Sequence, residues 1–527
     1  MNIIGNRTLR GELEYKVQKH PEKVWMVFED ADGQVVQYTY REFDEWVNRT
    51  ANLLLDLGVR KGDKVNLHLP NRPEFLFLWF GLAKIGAVMM PSNPISTVDE
   101  MVYLLGHSES VLSFTLAEHL PTVRAAQASC PLLREVVGCG PRPTELDARH
   151  FDDLVETQPS ALQERVPLHP LDEAAILYTS GTTAKPKGVL VTHANYIWVG
   201  EVVSKGMRMG PEDRHLVVMP YFHGNAQYYS TMSSLVVGGS IAVMHRFSAS
   251  RYFEQAHRHQ TTVSSFFAAP IRMILNQPPK PTDRDHRMRL IIYAQNITEA
   301  QLAEWHERFN APLMQIYGMT ETIGLPLMNP LDGPRKNLSM GMVTLPYECK
   351  VVDEEGREVP PGTVGQLIVR GEPGYTLMKG YFKNPQATAE TIRDGWLYTG
   401  DNAFMDEEGY FFFVDRAKDM IKRAGENVSA AEVEGVLNQH PAVFESAVIG
   451  VPDPIRDEAV KALVILKPGA QATAEELIAF CAERLAKFKV PQFIEFRDSF
   501  PRTSVGKIQK HILRREEQER AHGATQS

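Results

Sequence analysis

No stretch of this 527-residue chain is long and apolar enough to read as a membrane span. The longest, "FLFLWFGLAKIGAVMM" at 75–90, contains Lys84. It falls short of the roughly 20 residues a bilayer needs and reads as a buried helix. The start, "MNIIGNRTLRGELEYKV", has no apolar signal-peptide core. Cysteine is scarce: Cys130, Cys139, Cys349 and Cys481 lack metal-ligand spacing and fit a reduced, intracellular protein. Positive charge is not in excess. A net charge of −9 leaves no basic footprint for nucleic acid, so an anionic ligand must find its cations locally. Internal repeats and low-complexity tracts are also missing. The expectation is a cytoplasmic protein acting on soluble small molecules.

What remains is an ordinary globular composition, 43% hydrophobic and 23% charged. The length implies about three to five structural units. "FDEWVNRTANLLLDLGV" and "EFLFLWFGLAKIGAV" read as helices, and "DKVNLHL", "VLSFT" and "EAAILYT" as strands. That alternation predicts an α/β fold with helix-covered, largely parallel sheets. From about residue 340 to 415 short strands and tight turns ("CKVVDEEGREVPPGTVGQLIVRG", "GYFFFVDR") predict a small antiparallel, barrel-like subdomain. Beyond it the pattern changes again. "VSAAEVEGVLNQHP" opens with a capping box, Ser429 and Glu432, followed by strands "FESAVIGV" and "AVKALVIL" and helix "TAEELIAFCAERLA". The division expected is a large domain at 1–415, a linker at 416–418, and a small α/β domain at 419–527.

Four stretches carry chemistry. "YTSGTTAKPKG" (178–188) packs hydroxyls, glycines and lysines behind an apolar strand. Backbone N–H groups and hydroxyls in such a turn surround phosphate oxygens well. It is not the G-x-x-x-x-G-K-[ST] loop of common NTPases, and taken alone it fits an exposed polar turn equally. "YGMTET" (317–322) offers an aromatic face, a hydroxyl and a carboxylate, as a nucleotide with Mg²⁺ requires. Asp401 in "YTGD" suits two ribose hydroxyls, though alone it reads as a turn or cap residue. Lys507 in "PRTSVGK" alone reads as a solvated tail lysine.

Taken together and in this order, "YTSGTTAKPKG", "YGMTE", "YTGD", "VDRAKDMIKRAGEN" and "PRTSVGK" resemble the adenylate-forming superfamily of acyl-CoA synthetases, nonribosomal adenylation domains and luciferases. The resemblance covers essentially the whole chain. It implies a two-step reaction. A carboxylate attacks the α-phosphate of MgATP to give acyl-AMP and pyrophosphate; CoA thiolate then displaces AMP. The first step brings two anions together and needs placed cations and dipoles.

The resemblance also implies roles. Thr179, Ser180, Gly181, Thr182, Thr183 and Lys187 would hold the β- and γ-phosphates. Thr179 and Glu321 would hold Mg²⁺. Ala294, Gln295, Asn296, Tyr317, Gly318 and Met319 would frame adenine, with Thr320 at the α-phosphate, Asp401 and Arg416 on ribose, and Lys422 also at the nucleotide. Lys507 would bridge the attacking carboxylate and the phosphate. The small domain would swing about Lys418, withdrawing Lys507 and bringing Gly425 and Glu426 to the CoA tunnel. Lys487, with Lys489, meets CoA phosphates or is simply a solvated basic face. His223 reads as a gate between acyl pocket and thiol tunnel, or as a packed histidine. Ala184 and Ala424 stand where the family often has glycine, which bears on loop conformation but leaves the charged and hydroxyl groups intact.

The acyl pocket is expected from Asn225, Gln227, Phe267 and Tyr293, with Tyr221, Tyr228, Gln295 and Asn296 nearby. Amides among aromatics suit a short, polar or cationic acid better than a long alkyl chain, and aromatic faces suit a trimethylammonium head such as that of carnitine, crotonobetaine or γ-butyrobetaine. Medium-chain and aromatic acids stay open as alternatives. An amino-acid adenylating enzyme fits less well, since "FHGN" has no acid for an α-amine. The expected partners are the acid, ATP and CoA, with no nucleic acid; homodimerisation is left open.

Overall fold

The computed structural model describes residues 3–141, 148–179, 185–416, 419–423, 426–453, 457–502 and 508–525. Helix Pro73–Ile85 shows how sequence becomes architecture. Pro73 sits in the first turn, where no N–H is needed. Gly86, at φ 71, supplies the left-handed stop. Every residue between is buried. Lys84 is buried with the rest, and its ammonium reaches Asp44 Oδ1 (2.5 Å) and Asn48 Oδ1 (2.6 Å) on helix Tyr40–Asp56. The stretch at 75–90 is therefore core: a helix, then strand Val88–Pro91. No helix of the described residues is long and apolar enough to cross a membrane.

Two large sheets build the first 340 residues. A seven-stranded sheet runs Gly380–Tyr381, Lys187–Thr192, Glu173–Thr179, Val88–Pro91, Lys64–His68, Ser110–Leu116, Glu135–Cys139. Its last five strands are parallel and connected largely through helices. A nine-stranded sheet has a parallel centre: Leu313–Tyr317, Leu290–Ala294, Val263–Phe267, Arg214–Val217, Ser240–Met244, Val24–Glu29. One apolar cluster spans both sheets and their helices. Glu173–Thr179 and Lys187–Thr192 pair antiparallel, Thr179 opposite Lys187. The Ser/Thr-rich loop therefore closes a hairpin, unlike the strand-to-helix phosphate loop of common NTPases.

An antiparallel sheet follows, with Glu348–Val352, Gly365–Arg370, Trp396–Met405, Phe411–Arg416 and Ile392–Arg393 around its own core. A third kind of sheet closes the chain, from Ile421–Arg423, Glu426–Val428, Val443–Asp453, Asp457–Leu466 and Phe493–Phe496. Period-2 alternation covers both of its faces. Val448, Val460, Ala462 and Val464 meet helices Ala430–Leu437 and Ala474–Ala482, while Ala447, Ile449, Val451 and Leu463 meet Leu513 of helix Lys510–Thr525. Ser429 caps Ala430–Leu437 by accepting from the Glu432 amide. The reciprocal half of the expected capping box is replaced: the Glu432 carboxylate takes the Lys489 ammonium at 2.7 Å.

Candidate active site

Most of the chemistry-bearing residues sit at strand ends because their motifs follow an apolar strand; Asp401, expected in a turn, instead lies inside strand Trp396–Met405. Thr179 ends one strand and Lys187 begins its partner. Tyr317 ends Leu313–Tyr317, and Ala294 ends Leu290–Ala294 beside it. Asp401 and Arg416 are register partners in the antiparallel sheet.

Side-chain contacts join these ends. The Lys187 ammonium lies 4.8 Å from the centroid of the Tyr381 ring. The Tyr381 hydroxyl donates to Glu321 Oε1 at 3.0 Å. Glu321 is buried, and burial pushes its carboxyl above the usual range. The Tyr317 hydroxyl donates to Asp401 Oδ2 at 2.7 Å, and Arg416 Nε lies 3.2 Å from Asp401 Oδ1. Burial and the Asp401 carboxylate push the Tyr317 phenol up. Burial alone would lower Arg416; Asp401, Tyr317, Asp419 and Glu321 together more than offset it, so the guanidinium stays charged. Arg416 and Asp401 are also felt at Glu321, so the two clusters share one electrostatic environment.

Two residues here adopt left-handed backbone without being glycine: Gln295 (φ 75) and the β-branched, buried Ile323 (φ 62). Such conformations cost about 1–3 kcal/mol and persist where surroundings over-determine them. At Ile323 the clamp is Tyr347. Its hydroxyl accepts from Gly324 N (3.1 Å) and Trp198 Nε1 (2.7 Å) and donates to the Thr322 carbonyl (3.1 Å). Thr322 Oγ1 also accepts from Met319 N at 3.0 Å. The loop carrying Gly318, Met319, Thr320 and Glu321 is thereby fixed.

The expected acyl-pocket residues divide. Asn225, Gln227 and Tyr228 lie on a π-helical segment, Asn225–Met232, a geometry often found at functional sites. Gln227 is spent internally: Oε1 accepts from Tyr196 OH and Nε2 donates to Tyr221 O, both at 2.5 Å. Tyr293 is fully buried and donates to Asn337 O at 2.5 Å. Asn225 Nδ2 donates to Ser265 Oγ (2.9 Å), next to Phe267's strand end, but Asn225 Oδ1 and Tyr228 OH are buried with no partner among the described residues. His223 packs on Phe222 at a ring separation of 5.1 Å. Asn296 Oδ1 accepts from Gln315 Nε2 (2.9 Å). Lys422 and Lys487 are exposed. Ser180, Gly181, Thr182, Thr183, Ala184, Lys418, Ala424, Gly425 and Lys507 lie outside the described residues, as does the Glu426 side chain. Tyr381 and Tyr347 were not expected at all. Both lie far along the chain from the loops they hold, and no local pattern marks them.

Among the described residues no group of three or more His, Cys, Asp or Glu side chains is placed to hold a metal. A site offering one buried carboxylate and one hydroxyl suits Mg²⁺, which keeps waters and takes most of its ligands from substrate phosphates.

Residues 13–382 match the AMP-binding enzyme family and residues 432–507 its C-terminal domain, so the chain belongs to that family of enzymes. It is an acid–thiol ligase of the acyl-CoA synthetase type. Among its relatives is a crotonobetaine/carnitine–CoA ligase of Salmonella agona, 39% identical over 518 residues, covering 98% of this chain and all of the relative. Among solved structures it resembles the anthranilate CoA ligase AuaEII in complex with anthranoyl-AMP (29% identity, TM-score 0.90, 98% of each chain). MatB from Rhodopseudomonas palustris aligns over 97% of this chain and 99% of MatB at 29% identity. Its ATP-bound form gives a TM-score of 0.87 and its apo form 0.75.

Proposed function

We propose that this ligase activates a short polar acid of the betaine type, with carnitine, crotonobetaine and γ-butyrobetaine as candidates. It forms acyl-AMP and pyrophosphate from ATP, then acyl-CoA and AMP. The observation that carries the substrate class is the pair of unpartnered buried polar atoms, Asn225 Oδ1 and Tyr228 OH, on one π-helical wall beside Tyr196 and Tyr229. An unpaired buried polar atom is costly, so a pocket for a plain alkyl chain would not keep two. Aromatic faces nearby suit a quaternary ammonium. The likeness to crotonobetaine/carnitine–CoA ligases supports the same substrate class. The aromatic-acid reading is second, favoured by the likeness to an anthranilate ligase.

In this reading Lys187 and the 179–183 loop hold the β- and γ-phosphates. Asp401 and Arg416 hold ribose, and Tyr317, Gly318, Met319 and the 294–296 segment frame adenine. Lys507 meets the attacking carboxylate. Thr179 and Glu321 would hold Mg²⁺, which supplies charge neutralisation on the phosphates. Gly425, Glu426 and Lys487 serve CoA after the part beyond Lys418 turns, in a cytoplasmic enzyme with domains at 1–415 and 419–527. The test is AMP release from MgATP and CoA across a panel of betaines, aromatic acids and medium-chain acids. Turnover of at least one betaine well above benzoate and octanoate is expected. Turnover of aromatic acids alone would replace the substrate class.

A further inference from the structure

Both ends of the Ser/Thr-rich hairpin loop touch the same helix, Val98–Ser108, through residues one turn apart. Tyr103 and His107 are four residues apart and share a face. The Tyr103 hydroxyl donates to the Pro186 carbonyl at 2.7 Å, where the chain leaves the loop. The Lys185 ammonium sits 5.0 Å from the Tyr103 ring centroid. The Tyr178 hydroxyl lies 2.7 Å from His107 Nδ1, where the chain enters the loop. The two helix residues stack on each other, rings 5.3 Å apart and 27° from parallel. Phe382, one residue past Tyr381, puts its edge against His107 at 5.7 Å. Lys383 beside it pairs with Glu109 at 2.6 Å, just past the helix end.

We infer that Tyr103 and His107 are positioning residues for the triphosphate: they set the separation and direction of the two strand ends from which the loop springs. A hairpin loop inherits its geometry from its two ends. Here each end is held by a side-chain hydrogen bond to the same helix, which restricts where the loop begins and ends and so lowers the reorganisation that gripping a triphosphate would need. Lys187 lies over Tyr381 and Lys185 over Tyr103, so each of the two cations rests on its own tyrosine ring. Burial and the nearby Lys383 and Lys185 ammonium groups hold His107 below the ordinary histidine range. In the neutral imidazole an unprotonated Nδ1 accepts from the Tyr178 hydroxyl. Tyr103, Tyr178 and Phe382 also pack against the apolar cluster that holds Met101, Leu104 and Leu105, so melting temperatures are needed to separate positioning from folding.

The inference rests on the reading that this loop holds the β- and γ-phosphates, and AMP separates the two. AMP uses the adenine, ribose and α-phosphate contacts but not the β,γ grip. Equilibrium binding of MgATP and of AMP is measured for Lys187→Ala, Tyr103→Phe, His107→Ala and His107→Gln, each with its melting temperature. Tyr103→Phe and His107→Ala are expected to weaken MgATP about fivefold to tenfold, the size of one lost hydrogen bond, with AMP unchanged. His107→Gln, which keeps a hydrogen-bonding group for Tyr178, is expected to recover most of the loss. Melting temperatures within a few degrees of the parent would show that the effect is not unfolding. If Lys187→Ala weakens MgATP selectively while Tyr103→Phe and His107→Ala do not, the positioning role is overturned and the loop reading stands. If Lys187→Ala also spares MgATP, both fall.

Discussion

Tyr381 joins what the motifs keep apart. Its ring carries Lys187 and its hydroxyl holds Glu321, so one side chain couples the phosphate-loop lysine to the carboxylate proposed for Mg²⁺. Tyr381→Phe keeps the ring and removes the hydrogen bond. The KM for MgATP is expected to rise about tenfold, the lower end of the value of a hydrogen bond to a charged group, with the KM for the acid unchanged. Steady-state AMP release measures both, and an equal rise in the two would contradict this role. At this scale the sequence was legible where chemistry sits in contiguous runs, as in "YTSGTTAKPKG" and "YGMTET". It was silent on Tyr381, whose role depends on a strand of two residues pairing with Leu190 and Val189. It also could not tell which amides are free: Gln227 and Asn225 look alike in sequence, yet one is spent on Tyr196 and Tyr221 and the other keeps Oδ1 unpaired.

At the scale of elements, the loop 318–324 is held by Tyr347, 23 positions beyond Gly324, against the strain of Ile323 at φ 62. Tyr347→Phe would leave Trp198 Nε1, Gly324 N and the Thr322 carbonyl each short of a partner. A loss of about 2 kcal/mol is expected by denaturant melting, from unmet hydrogen bonds in a buried place. Turnover should fall further than stability accounts for, because the loop presents Thr320 and Glu321. Unchanged turnover at saturating MgATP would show that the clamp serves folding only. Helix and strand positions were largely readable, since amphipathic periods are local: "FDEWVNRTANLLLDLGV" and "EFLFLWFGLAKIGAV" fall on helices Tyr40–Asp56 and Pro73–Ile85. The antiparallel pairing that makes the phosphate loop a hairpin was not, because strand direction is set by sheet partners. Nor was the fate of Glu432, which a lysine across the fold draws away from its capping role.

The whole molecule carries two further consequences. Arg272 donates to Glu445 Oε1 at 3.2 Å across 173 positions of the chain, and Arg502 pairs with the same carboxylate. The other consequence is acid sensitivity. His68, His193 and His215 are buried, and burial holds their pKa values at about 3, 4 and 3. An unfolded histidine titrates near 6.5, so below that pH the unfolded chain binds more protons than the folded one. Stability is therefore full above about pH 6.5 and is lost progressively as pH falls toward 4. Both ring nitrogens of His215 lack partners among the described residues, and His215→Leu is expected to flatten the decline between pH 6.5 and 4. Melting temperature against pH checks this; a slope unchanged in the variant would assign the decline to other groups.

The central claim is that this chain joins a carboxylate to AMP before any thiol enters. Exchange of labelled pyrophosphate into ATP, run with Mg²⁺ and without CoA, tests it most directly. The account predicts exchange only when a carboxylate is supplied, strongest with a betaine, and lost in Lys507→Ala while supplied acyl-AMP is still converted to acyl-CoA. Exchange that needs no acid, or that survives Lys507→Ala undiminished, would contradict it.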